Sequence, residues 1–301
     1  MAARCETRGG VLPSVLRPTH VLVVGLLLGL GGLRVAAVAD EHPPAAVVAE
    51  AWERYRSVKT EREEVEILVI KAPQKAEYVR ADADSLLRDT PDSVVHKRAV
   101  RHVLYAVGFQ DKIHLRFSAP AEDVGLSFLV WRQPTAAQDG MWVFMPGYHN
   151  VRRAPLSGTE SLAGTDLIYE DLRELAGERT EAFTYAAAPD ESIDGRACDV
   201  VIATPKAETP SAYSRRKLWF DREWRFPMKQ EFYDETNALW KVLRNTGAVE
   251  IAPGVRRPTL TEMRDLKANE TTLLVVVKRA VGSEIPAAVF TQDHLMHPDD
   301  D

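Results

Sequence analysis

Three acidic side chains lie close together in one short segment and are the first candidates for chemistry. Asp166, Glu170 and Asp171 fall within the run GTDLIYEDL at residues 164–172. Two neighbouring carboxyl groups can act as a general acid and a general base. A structural role is the alternative, in which Asp166 caps a short helix and the other two acids are solvated or paired with arginine. We favour the structural interpretation.

Two arginines upstream of this run are candidate partners for the acids. Arg152 and Arg153 follow an aromatic, strand-like segment at residues 141–146. A helix over residues 167–172 that is held by Asp–Arg pairs could serve as a mobile lid. We therefore predict that replacing Asp166 or Arg153 loosens the helix without abolishing the fold.

The rest of the sequence has no constellation typical of catalysis. It contains no glycine-rich phosphate loop, no G-x-S-x-G elbow and no H-E-x-x-H helix. His294 and His297 lie beside the charged tail at residues 296–301, which we expect to be flexible and solvated. Cys198 is expected to be a buried, small apolar side chain rather than a nucleophile. The sequence therefore predicts no catalytic residue, no metal site, no cofactor and no enzyme.

The first 39 residues have the three parts of a secretory signal peptide. Three arginines precede residue 18, an uncharged apolar run covers residues 21–33, and a small-residue site ends at Ala39. An uncleaved membrane anchor is the alternative, but the run is shorter than the roughly 17–25 residues needed to cross a bilayer. We predict cleavage after Ala39 and export to the periplasm of a double-membraned bacterium.

The charge balance excludes one class of partner. Lys and Arg number 38 against 44 Asp and Glu, giving a formal net charge of −6. An acidic chain has no electrostatic reason to bind nucleic acid. We therefore predict no nucleic-acid partner.

The elements that must position any site are mostly strands. Residues 45–58 repeat apolar side chains at helical spacing, and residues 75–96 are polar and are expected to form an inserted loop. Short runs rich in Val and aromatic residues then alternate at period two. These runs are 64–70, 100–108, 112–118, 126–132, 141–146, 181–187, 197–204, 216–221, 228–233, 239–245 and 271–278. They predict a mainly β, antiparallel α+β domain over residues 40–295.

Several of these segments together resemble the outer-membrane lipoprotein-sorting protein family. The similarity rests on the run MWVFMP at 141–146, the arginine pair after it and the run GTDLIYEDL, which contains Gly164, Asp166, Tyr169 and Asp171. It continues in KLWFD at 217–221, PMKQEFYD at 227–234 and the closing segment 286–295. The resemblance implies a LolA/LolB-like half-barrel, which is a strongly curved, unclosed antiparallel sheet with helices over its concave face.

The same resemblance implies a carrier of acyl chains rather than a catalyst. The expected ligand is a lipid or the acyl chains of a lipoprotein, with an inner-membrane exporter as a further partner. Each methylene group removed from water contributes roughly 0.8 kcal/mol, so a long chain could be held firmly during transit. The alternative is a non-carrier interaction domain with a permanently plugged concave face, which could act as an accessory to an exporter.

Alternation along the strands gives candidates for the cavity wall. Trp142 and Phe144 share one face of their strand, as do Leu129 and Trp131. The full set of candidates is Leu129, Trp131, Trp142, Phe144, Phe220, Phe232 and Trp240. An ordinary core position is the alternative for each of them, and the sequence does not show which face of the sheet points inward.

Overall fold

A computed structural model describes residues 43–298 of the chain. The predicted signal peptide and its cleavage point after Ala39 lie outside these residues, as does the end of the tail at 299–301. The helices in the described range are α1 Pro44–Tyr55, α2 Arg80–Arg88, α3 Tyr169–Glu174 and α4 Gln292–Met296. The strands are β1 Thr60–Lys71, β2 Val94–Leu104, β3 Lys112–Ala119, β4 Ser127–Trp131, β5 Gly140–Met145, β6 Asn150–Arg153, β7 Phe183–Ile193, β8 Arg196–Pro205, β9 Arg215–Asp221, β10 Pro227–Tyr233, β11 Leu239–Thr246, β12 Val249–Ala252, β13 Val255–Arg257, β14 Leu260–Asp265 and β15 Glu270–Val281.

Thirteen of these strands form one antiparallel sheet. Their order is β6-β5-β4-β3-β2-β1-β15-β14-β11-β10-β9-β8-β7, and β12 and β13 form a separate hairpin. The long strand β1 lies in the middle because it pairs with β2 on one side and with β15 on the other. The sheet ends at β6 and β7 and is not closed into a barrel. The predicted fold class, mainly β with an unclosed antiparallel sheet, is confirmed.

Helix α1 forms where the helical repeat predicts it. A proline at its first position suits a helix start, where the missing N–H has no partner to lose. The buried side chains of the helix are Val47, Val48, Ala51, Trp52 and Tyr55. Burying each large apolar side chain contributes roughly 1.5–3 kcal/mol, so this one face secures the helix to the sheet. We call the sheet face that packs against α1 the inner face, and its opposite the outer face.

The chain between β6 and β7 also packs across the inner face. We call residues 154–182 the cover segment. Its apolar side chains in the main core are Ala154, Leu162, Leu167, Ile168, Leu172, Ala176 and Ala182. Their burial places α3 and its flanking turns directly over the strands.

The helix of the cover segment differs from its prediction. It covers Tyr169–Glu174, two residues later than expected, and the residue that precedes its first turn is Ile168. Asp166 therefore does not cap it. Instead, the carboxylate of Asp171, inside the first turn, accepts a hydrogen bond of 2.8 Å from the Ile168 backbone N–H. This N–H has no partner within the helix itself.

Helices and turns also cover the outer face, which the prediction of helices over one concave face did not include. Residues 75–96, expected to be a loop, contain α2 and the first residues of β2. Ala83 of α2 is fully buried against Leu68 and Leu273. Nearer the β6 edge of the sheet, a 3₁₀ turn at Ala287–Phe290 and α4 pack on β4 and β5. None of the helices within residues 43–298 is long and apolar enough to span a membrane.

Candidate functional site

A cavity of about 90 Å³ lies between the inner face, α1 and the cover segment. Residues of seven strands contribute to its wall, all from the middle of the sheet. Most of the wall is apolar and includes Trp52, Phe117, Leu172, Phe232, Leu243 and Val276. A mainly apolar lining with a few polar groups is typical of a site for a small ligand.

The cover segment makes its first attachment to the rest of the domain through Asp171, above the cavity. Its carboxylate accepts a hydrogen bond of 2.8 Å from the Tyr213 hydroxyl and lies 3.6 Å from the Nζ atom of Lys241. All three side chains are buried. Burial and the neighbouring negative charge of Asp171 raise the pKa of Tyr213 well above its usual value, so this hydroxyl keeps its proton and remains a donor.

Asp166 makes a second attachment, to β15. Its carboxylate accepts a hydrogen bond of 2.7 Å from the Thr272 hydroxyl, and Lys241 donates one of 2.6 Å to its backbone carbonyl. Burial raises the pKa of Asp166 to about 6, in spite of the hydrogen bond from Thr272. Gly164, just before it, has a φ of +72°, which a glycine adopts without strain in this turn.

Glu170 makes a third attachment, to β9. It accepts a hydrogen bond of 2.9 Å from Arg216, which also donates one of 3.0 Å to Glu178. These three side chains are 2% exposed or less. Breaking a buried pair by removing one partner typically costs about 3–5 kcal/mol, because the remaining charge is left without compensation.

The turn that follows α3 lies against α1 at Gly177. This residue has a φ of +109°, and a Cβ atom there would lie 3.2 Å from the Trp52 ring and 3.0 Å from Arg56 Cδ. Its carbonyl accepts a hydrogen bond of 2.6 Å from the buried Arg132. Only glycine combines this backbone conformation with so close an approach.

Arg152 and Arg153 do not hold the cover segment. Arg153 donates a hydrogen bond of 3.3 Å to the Asp139 backbone carbonyl, and Arg152 lies over the Tyr148 ring. The expected pairs with the acids of α3 are therefore wrong. Both arginines lie on the edge strand β6 and are exposed, whereas the acids are buried and take their partners from the interior of the sheet. Tyr169, the remaining residue of the run, is half-buried with its ring 6.0 Å from Phe128.

One end of the cavity is charged. Glu63, Arg101 and Arg279 lie side by side on β1, β2 and β15 and line the wall. Glu63 is 2.6 Å from Arg101 Nη2 and accepts a hydrogen bond of 2.7 Å from Arg279 Nε. Burial alone would raise the pKa of Glu63, but the two arginines outweigh it and lower that pKa to about 2. Glu63 is therefore ionised at any physiological pH.

The structure separates the seven predicted lining residues into two groups. Phe232 lies in the cavity wall, and Phe220 and Trp240 belong to the same inner-face core without lining the cavity. The other four lie on the outer face against the C-terminal segment: Leu129, Trp131, Trp142 and Phe144. Trp131 donates a hydrogen bond of 2.8 Å to the Phe290 carbonyl. We therefore reassign these four as the core beneath that segment.

The comparisons with known proteins agree with this architecture. A family model described as "Uncharacterized protein"-like, corresponding to the DUF1329 proteins, matches residues 110–297, well over half of the chain. The chain belongs to this family. No curated protein matches it.

Solved structures share the fold of this DUF1329-type chain. An outer membrane lipoprotein-sorting protein domain from Vibrio parahaemolyticus is 19% identical with a TM-score of 0.72, over 84% of this chain and 98% of that one. A DUF1329 family protein from Desulfovibrio piger is 20% identical with a TM-score of 0.71, over 84% and 99%. A LolA superfamily protein from Nitrosomonas europaea is 22% identical with a TM-score of 0.61, over 84% and 99%. The resemblance to lipoprotein-sorting proteins inferred from the motifs is therefore confirmed at the level of the fold.

Sequence reasoning missed the charged end of the cavity. In the run TEREEVE of β1, the alternate residues Glu61, Glu63 and Val65 face inward. Alternation would have grouped the two glutamates with apolar positions, which is an unusual placement for charge in a half-buried strand. Their partners Arg101 and Arg279 come from strands 38 and 216 residues further along the chain, so no local pattern connects them.

Two further predictions concern Cys198 and the histidines near the C-terminus. Cys198 is fully buried, and burial raises the pKa of its thiol to about 11, as expected for an inert apolar side chain. His294, expected to be solvated, is buried with its ring 5.2 Å from His114. Within residues 43–298, no group of three or more His, Cys, Asp or Glu side chains is arranged to hold a metal ion.

Proposed function

We propose that this protein is an exported carrier that holds the acyl chain of a lipid or lipoprotein between its sheet and its cover segment. The observation that carries the proposal is the apolar cavity under a cover segment that combines apolar packing on the sheet with buried polar attachments through Asp166, Glu170 and Asp171. The confirmed fold is compatible with this role, and the relatives' names supply the class of cargo. The candidate site contains no arrangement that we can assign to catalysis, so we propose binding and not chemistry.

The size of the cavity sets a condition on the mechanism. A volume of about 90 Å³ is smaller than that of a protein cavity of about 150 Å³ that holds one benzene molecule. A long acyl chain needs several times that space. We therefore infer that this is the closed form, and that loading requires the cover segment, α1 or both to move away from the strands.

The polar attachments lower the free-energy cost of such a movement. Asp166, Glu170 and Asp171 are held by hydrogen bonds and ion pairs to Thr272, Arg216 and other sheet residues. When the cover opens, water can solvate these charged groups, which offsets much of the lost Coulomb energy. An acyl chain then compensates for the apolar surface that opening exposes, at roughly 0.8 kcal/mol per methylene.

A permanently plugged interaction domain is the second candidate, and the small volume of the cavity favours it. In that case α1 and the cover segment would be fixed parts of the core, and a partner would bind elsewhere. An inner-membrane exporter as the partner remains a prediction under either proposal.

Native mass spectrometry of the exported protein, followed by solvent extraction, tests the carrier. We expect an acyl-chain species at one copy per protein, or uptake of one when lipid is offered. Val276→Trp should block uptake because this side chain lines the cavity. Val277→Trp is the matched control, since Val277 is its neighbour on β15 and is 49% exposed. A lipid-free mass with no uptake would favour the plugged domain.

Export is tested on the same sample. We expect the protein in the periplasmic fraction, with a mature mass that corresponds to cleavage after Ala39. A full-length mass in the membrane fraction would support the uncleaved anchor instead.

A further inference from the structure

The charged end of the cavity carries more positive than negative charge. Arg101, Arg257 and Arg279 face Glu61 and Glu63, and all five side chains are buried or nearly so. Within residues 43–298, the ion pairs of these three arginines go to those two glutamates alone. The cluster therefore has one positive charge in excess, in a place where water cannot screen it fully.

The other acids of the cavity wall do not balance this excess. Asp171 is matched by Lys241 at 3.6 Å, and Glu174 is matched by Arg173 at 3.0 Å. Both acids belong to the cover segment, and their cations are outside the arginine cluster. The uncompensated charge is thus local to β1, β2, β13 and β15.

One donor of the cluster is unused. Arg101 Nε is buried and has no hydrogen-bond partner in the described part of the chain, although its Nη2 atom pairs with Glu63. Arg101 and Arg279 both line the cavity, while Arg257 is held behind them by Glu61 and by the Tyr55 carbonyl at 2.7 Å. A buried donor without a partner costs free energy that a suitable acceptor would recover.

We propose that this end of the cavity binds the negatively charged head of an amphipathic ligand, a carboxylate or a phosphate, whose acyl chain lies along the apolar wall. The inference rests on the carrier function proposed above and specifies its ligand class. Arg101 supplies the free donor and Arg279 the second positive charge, while Glu63 orients both. Guanidinium groups suit this role because they bind carboxylate and phosphate oxygens through charge-assisted hydrogen bonds.

The test compares ligands that share one alkyl chain and differ only in the head. Pentadecanoate, tetradecyl phosphate and tetradecanol compete with the uncharged fluorescent probe N-phenylnaphthylamine for the intact protein at pH 8. We expect each anion to bind at least about tenfold more tightly than the alcohol. A preference for only one anion identifies the head as carboxylate or phosphate, and either result supports the proposal.

Substitutions then test whether the preference for anionic heads comes from the arginine cluster. Arg101→Gln should remove most of the advantage of the anions and leave the affinity for tetradecanol unchanged. Arg101→Lys should retain part of it. Arg98→Gln is the matched control, because Arg98 lies on the same strand with a side chain that is 60% exposed. Thermal melts establish that each variant is folded.

The outcomes separate the two proposals. Equal binding of all three ligands by the unmodified protein would overturn the charged-head inference and leave the carrier intact. An equal loss of all three in Arg101→Gln would also overturn it, since Arg101 would then be structural. Binding of none of them, together with no lipid in the extract, would remove the carrier itself.

Discussion

The hydroxyl of Tyr213 donates a hydrogen bond of 2.8 Å to the carboxylate of Asp171 in the cover segment. Both side chains are buried, and the Tyr213 ring also packs against Phe232 and Trp240. The contact thus joins the cover segment to the apolar core of the sheet. A hydrogen bond at this place stabilises the observed form and would be lost in the opening that we propose.

Tyr213→Phe should loosen the cover segment without unfolding the domain. The change leaves the ring contacts in place and removes one donor from a buried carboxylate, which costs about 1–3 kcal/mol. We expect faster hydrogen exchange in α3 and a lower midpoint in urea. Tyr233→Phe is the control, because the Tyr233 hydroxyl bonds to Glu231 at 2.8 Å away from the cover. Equal exchange rates in α3 for both variants would mean that the contact does not hold the cover.

Gly177→Ala should weaken the closed form more than a glycine replacement elsewhere. The new methyl group would meet Trp52 and Arg56, and the backbone has a φ of +109°. Gly282→Ala serves as the comparison, since Gly282 also has a positive φ, +71°, but nothing lies within 4 Å of the added atom. We expect about 1–2 kcal/mol of destabilisation for Gly282→Ala and about 1–3 kcal/mol more for Gly177→Ala. Urea unfolding measures both, and equal losses would contradict the close packing.

Local patterns were sufficient to predict the class of fold. The period of 3.6 in α1 and the period of two in the strands depend only on neighbours along the chain, and burial in the structure follows both. The motif around Asp166 identified the family resemblance. Its position in the cover segment, packed over the inner face, could not be derived from the same residues.

Two physical reasons explain the failures. In β4, Phe128 and Leu129 are both buried, because helices and turns pack on both faces, so alternation cannot show which face is the inner one. The partners of the buried acids are also distant in sequence: Asp171 and Tyr213 are 42 residues apart. Such pairs are fixed by the three-dimensional packing. Arg152, which is nearer in sequence, was therefore the wrong partner for these acids.

Leu129→Ala tests the reassignment of the outer-face residues. This side chain is fully buried against Val289 and Phe290, so its truncation should cost about 2–5 kcal/mol. Lipid affinity below the melting temperature should not change. Phe232→Leu, in the cavity wall, should have the opposite effects: it should cost little stability but change the affinity for lipid. A loss of lipid binding in Leu129→Ala equal to that in Phe232→Leu would show that the cavity extends beyond the inner face.

His114 should make the domain sensitive to acid. Burial, together with the charges of His102, His294 and Arg116, lowers the pKa of His114 to about 3, against 6.5 when it is exposed. Because His114 resists protonation in the folded form, this group leaves the free energy of unfolding unchanged above pH 6.5. That free energy falls by up to about 1.4 kcal/mol per pH unit between 6.5 and 3, where only the unfolded chain takes up the proton.

Replacing His114 by phenylalanine should therefore flatten the decline in stability over that range. The ring contacts with His102 and His294 can be kept by an aromatic side chain of similar shape. Urea unfolding at several pH values from 7 to 4 measures the slope, and His149→Asn at an exposed turn is the control. The difference between His114→Phe and the unmodified protein should grow as the pH falls. A constant difference would place the acid sensitivity in other groups, because a histidine with the same pKa in the folded and the unfolded state adds nothing to the pH dependence of stability.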